Sequence, residues 1–74
     1  MTNDTLITAI MTGQPTVITY TDVDGVISIR TVLAKSIERC TNGNAILRTF
    51  DLNRGEPRNF TLANIAAAFV GSTI

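Results

Sequence analysis

Two stretches of this chain repeat one design: a run of β-branched and aromatic residues, a turn that carries Gly, and a second such run. The first is Thr16-Val17-Ile18-Thr19-Tyr20-Thr21, then Asp22-Val23-Asp24-Gly25, then Val26-Ile27-Ser28-Ile29-Arg30-Thr31-Val32-Leu33. β-branched and aromatic side chains pack well on a pleated surface, and Gly25 supplies the positive φ of a tight turn. Ile27, Ile29 and Leu33 alternate with Ser28 and Arg30, giving one apolar face and one mixed face. This segment predicts an antiparallel hairpin. After the turn signal Thr41-Asn42-Gly43-Asn44, a second hairpin is predicted from Ala45-Ile46-Leu47-Arg48-Thr49-Phe50-Asp51, a turn at Asn53-Arg54-Gly55-Glu56, and Pro57-Arg58-Asn59-Phe60-Thr61. Pro57 has no amide donor and suits a strand start or a sheet edge. The segment from Ala34 to Arg39 either extends the first hairpin beyond a bend or forms an irregular connection.

Shorter elements flank the hairpins. Leu6, Ile7, Ile10 and Met11 fall on one face of a helix of about two turns. Thr2, Asn3 and Asp4 are candidate N-caps, Gly13 is a C-cap, and Pro15 stops continuation. At the other end Ile65, Ala68 and Phe69 stand at i, i+3 and i+4, which predicts a small closing helix or 3₁₀ turn capped by Thr61 or Asn64. Phe50 and Phe69 read as core. In a single domain of 74 residues, four or five strands most simply curl into a small barrel, because curling protects strand edges. The expected fold is mainly β: a small SH3-like barrel with a short element at each end.

Composition excludes several chemistries. The chain has no His and one Cys, so it cannot build a zinc-finger set, a Ser–His–Asp triad or an internal disulfide. Cys40 has only Arg39 as a basic neighbour and no mark of an activated thiol. Asp22 and Asp24 lack the further oxygen ligands of a cation loop, so no metal and no cofactor are expected. Six basic residues balance six acidic ones, which weighs against a long non-specific nucleic-acid track. The start of the chain lacks the basic n-region of a secretory signal, and its longest apolar stretch, Ile65 to Val70, falls far short of the ~20 residues that span a bilayer. A soluble, cytoplasmic protein without membrane association is expected.

The ordered set Ile18-Thr19-Tyr20, Arg30-Thr31-Val32, Leu47-Arg48-Thr49-Phe50-Asp51 and Arg58-Asn59-Phe60-Thr61-Leu62-Ala63-Asn64-Ile65 resembles the WYL domain, an Sm-like, SH3-type barrel of bacterial regulators. The likeness runs from about Leu6 to Phe69. The chain departs from the family pattern at three places: Ala45-Ile46-Leu47 replaces the eponymous Trp-Tyr-Leu, Ala34 replaces a proline, and Ala63-Asn64 replaces Asp-Arg. WYL domains commonly follow a DNA-binding helix-turn-helix and sense nucleic acid or a nucleotide-like ligand. The resemblance therefore implies a stand-alone sensor or binding module.

It also implies a site. Arg30 and Arg58 match family arginines that line an anionic-ligand pocket, and a guanidinium binds phosphate through two parallel hydrogen bonds. The plainer alternative for each is a solvated strand residue paired with Asp22, Asp24 or Glu56. Tyr20 is either a stacking surface for a base or a half-buried barrel residue. Phe60 shares a strand face with Arg58, and is either a stacking platform or core. Arg48 lies on the face of Ile46 and Phe50, so it must reach solvent, an acid or a ligand. Asp51 is expected to form a turn through its side chain.

Three functions compete at this level. The leading one is a non-catalytic binding module for single-stranded nucleic acid or a nucleotide. The second is a protein-interaction module that forms a homo-oligomer or caps a larger partner. The third, an enzyme, has few acid–base candidates and is not expected.

Overall fold

The computed structural model describes residues 2–71. Helix α1 (Thr2–Thr12) is followed by strands β1 (Pro15–Thr21), β2 (Ile27–Arg39), β3 (Ala45–Asp51) and β4 (Glu56–Thr61), a 3₁₀ turn (Leu62–Asn64) and β5 (Ile65–Val70). All neighbours are antiparallel, in one sheet of order β4-β3-β2-β1-β5.

The turns form for local reasons. The Asp22 carboxylate accepts the N–H groups of Asp24 and Val26, each at 2.9 Å, and Gly25 takes φ 81°. Asn42 does the same for Asn44 at 3.0 Å. At the end of β3, Asp51 Oδ1 accepts from Asn53 at 3.0 Å and Arg54 at 3.2 Å, so its expected turn role is present. The helix ends where Gly13 turns to φ 70°, with the Gly13 N–H bonded to the Ala9 carbonyl at 2.9 Å.

The segment Ala34–Arg39 continues β2, which therefore runs for 13 residues. A register shift between Ala34 and Ser36 bends it. This bend and the twist of the strands roll the sheet. In a flat sheet β4 and β1 would stand three strand spacings apart, ~14 Å. The rings of Phe60 on β4 and Tyr20 on β1 instead meet with centroids 4.8 Å apart. The concave side holds Ile18, Val32, Ala34, Leu47, Phe60 and Ile65, all buried, and Leu6 and Ala9 of α1 join them.

Three expectations need correction. The segment from Ile65 is strand β5, not a closing helix; only the three residues before it make a 3₁₀ turn. Six residues are too few to hold a helix on their own, whereas pairing with β1 satisfies their backbone. The buried face of α1 is Leu6 and Ala9, with Ile10 partly buried, while Ile7 and Met11 are exposed. The helix begins at Thr2, so Asn3 and Asp4 lie inside its first turn; the residue before it is outside the described residues. Phe69 and Phe50 are not core: Phe69 is 67% exposed, as are Ile27 and Ile29 on the apolar face of β2, and Phe50 is half-buried on the outward face of β3. Strand parity explains this, because Ile18 pairs with Arg30 and Ala68 and places those positions inward, leaving Ile29 and Phe69 outward.

Candidate functional site

Arg58 and Phe60 alternate on β4 and face the concave side together. The hydroxyl of Thr49, buried on β3, donates to the Arg58 carbonyl at 2.7 Å and fixes the β4 backbone at this point. The Arg58 Cζ lies 5.6 Å from the centre of the Phe60 ring, within reach of the cation–π attraction. The Phe60 ring meets Tyr20 edge-on at an interplanar angle of 68°. Arg58 and Tyr20 are half-buried, while Phe60 is 1% exposed. Phe60 therefore supports Arg58 and Tyr20 from below and offers no free ring face for stacking.

Arg30 lies on the same concave side, opposite Ile18 and diagonal to Tyr20. It is half-buried, and its Nε is buried with no hydrogen-bond partner. The two arginines do not sit on neighbouring strands: β3 lies between β2 and β4. Arg58, Phe60 and Tyr20 are in contact in that order, and Arg30 stands diagonal to Tyr20 across the β1–β2 register. Neither makes the carboxylate contact with Asp22, Asp24 or Glu56 that the plainer alternative supposes. Among the described residues the ion pair is Arg48 with Glu38, at 3.1 Å.

Arg48 is on the opposite, convex face, and both members of its pair are more than half exposed. The structure thus separates Arg48 from Arg30, Arg58 and Tyr20. An exposed pair of this kind contributes ~0–1 kcal/mol. Arg48→Ala is expected to leave the unfolding midpoint in urea almost unchanged and to bind any ligand of the concave face as the parent does. Parallel denaturation and ligand titrations check both points.

The sequence assigns Asp51 a turn role, but its environment shows more. It is fully buried, and while Oδ1 holds the turn, Oδ2 has no partner. Asp51 pairs with Val32 on β2, two residues along from Arg30. An unpartnered carboxylate oxygen and an unpartnered guanidinium Nε are therefore diagonal neighbours on one sheet face. No local pattern marks this, since the two residues meet only through the β2–β3 register.

A shallow cleft of about 280 Å³ lies elsewhere, between Asn3 of α1, Gly43 to Ala45 and Thr61 to Ala63. Among the described residues its lining is polar or apolar without a charged side chain. Among the described residues no three His, Cys, Asp or Glu gather to hold a metal, and no helix is long and apolar enough to cross a membrane.

This arrangement, five antiparallel strands rolled around an apolar core with half-buried Arg30, Arg58 and Tyr20 on the concave side, defines a class of small β-barrel. Among solved structures it is similar to proteasome accessory factor B/C (PafBC) of Arthrobacter aurescens, with a TM-score of 0.81 over 96% of this chain at 14% identity. The likeness is one of fold, and the chain spans 12% of the PafBC chain. No family model and no curated protein sequence matches.

Proposed function

We propose that this domain is a non-catalytic regulatory module that binds a phosphate-bearing ligand, either a short single strand of nucleic acid or a nucleotide, in the cytoplasm. The observation that carries this reading is Arg58: a half-buried guanidinium held over a buried ring on which Tyr20 also packs, with no carboxylate paired to it among the described residues. A guanidinium so placed keeps its donors for an incoming anion. Tyr20 offers a partly exposed ring beside it, and base–aromatic stacking contributes ~1–3 kcal/mol in single-strand binders. The fold is shared with a protein named as a proteasome accessory factor, and the likeness of the strand motifs to the WYL domain supports a regulatory role.

The test is fluorescence polarisation with a short labelled single-stranded oligonucleotide, then competition by free nucleotides. Arg58→Ala removes a charge-assisted hydrogen bond of ~1.5–3 kcal/mol, so affinity should fall ~10-fold or more. Affinity should also fall modestly as salt rises, since few phosphates are engaged. Absence of binding at micromolar protein, or equal binding by the Arg30→Ala/Arg58→Ala double variant, rejects the proposal. A role in protein interaction is the alternative, and what favours it lies on the other side of the sheet.

A further inference from the structure

The convex face of β5-β1-β2 is apolar and uncovered. Phe69 of β5 pairs with Val17, and Ala67 with Thr19. Thr19 in turn pairs with Ile29, and Thr21 with Ile27. Phe69, Ile29 and Ile27 are each 67% exposed, and with the smaller side chains between them they form one continuous patch. Their side chains alone expose on the order of 400 Å², the size at which an exposed apolar patch marks an interaction site. At the hairpin tip beyond Ile27, Val26 is 58% and Val23 is 95% exposed.

We propose that this face is the interface of a homodimer, with a second copy of the chain seated on it across a two-fold axis. Three observations select a second copy. The outward positions of β1 (15, 17, 19 and 21), of the first half of β2 (27, 29, 31 and 33) and of β5 (67 and 69) carry no charge. An uncharged face has no complement of opposite sign to seek, and the surface that matches it is itself. The chain's net charge is zero, so two copies approach without long-range repulsion. The area also fits. A standard interface takes ~800 Å² from each partner, about a sixth of the 4812 Å² surface, and Phe69, Ile29 and Ile27 alone supply about half of it. The proposal is independent of ligand binding, because the arginine–aromatic cluster lies on the opposite side of the sheet.

Sedimentation equilibrium of the full chain tests it. The parent should sediment at about twice 8.0 kDa. Phe69→Lys and Ile29→Lys should raise the dimer dissociation constant at least ~30-fold, as loss of a central apolar contact does, with unchanged far-ultraviolet circular dichroism. Met11→Lys, at a position 81% exposed on α1, should stay dimeric. If a lysine variant loses its β spectrum, the milder Ile29→Thr/Phe69→Thr double variant replaces it, again with monomers expected. A parent that is monomeric at a few hundred micromolar overturns the proposal, whether or not its face captures some other protein. So do lysine variants that remain dimeric, or a Met11→Lys control that dissociates equally.

Discussion

Phe60→Ala should destabilise the domain by ~3–5 kcal/mol, while Phe69→Ala, measured in dilute protein, should change it by less than ~0.5 kcal/mol. The two residues are chemically identical and stand nine positions apart near the same end of the chain. Phe60 is 1% exposed and packs edge-on against Tyr20, so its removal leaves a cavity where the rolled sheet closes. Phe69 is 67% exposed on the convex side and leaves no cavity. A chain of this length has only ~4–11 kcal/mol of total stability, at ~0.05–0.15 kcal/mol per residue. Phe60→Ala therefore takes a large share of it and should populate unfolded protein near physiological temperature. Urea unfolding of both variants at protein concentrations below any association reads the difference directly. Equal losses for the two would mean that the sheet does not roll as described.

Asp51→Ala should cost ~2–3 kcal/mol, a large effect for a residue at a turn. Oδ1 accepts the N–H groups of Asn53 and Arg54, and the side chain is fully buried. Alanine removes the one acceptor, Oδ1, that takes both N–H groups at the β3–β4 turn. It also takes away a carboxylate diagonal to Arg30, whose Nε is buried without a hydrogen-bond partner. Asp51→Asn retains one carbonyl oxygen for the turn and should recover part of the loss. Chemical denaturation of the pair separates the two contributions. If Asn is as damaging as Ala, the negative charge matters more than the turn acceptor; if Ala is harmless, Asp51 has no structural role.

These two residues also show where local reasoning stopped. Asp51 was legible as a turn former, because an Asp side chain reaches N–H groups only two and three residues ahead. Its burial beside Arg30 was not legible, because that depends on β2–β3 pairing. Phe60 and Arg58 were legible as sharing a face from strand periodicity alone. The placement of Tyr20 against Phe60 required the sheet to roll through three strand spacings. Arg48 matched the strand pattern as well as Arg58 did, yet it points to the convex side and pairs with Glu38.

The sequence by itself determined the two hairpins, their turns and the short helix. Each rests on interactions within a few residues: Asp22 and Asn42 accepting nearby N–H groups, Gly13 and Gly25 adopting positive φ, and β-branched runs alternating along one strand. Only the tertiary structure decided which face of each element is buried, and that Ile65–Val70 is a strand. The i, i+3, i+4 spacing of Ile65, Ala68 and Phe69 suits a helix locally. The pairing of β5 with β1, about 50 residues away in sequence, outweighs it by satisfying the backbone of both strands. The same pairing turns Phe69 and Ile29 outward and Ile18 inward. Periodicity shows that two faces differ; it takes contact between distant strands to settle which of them is the inside.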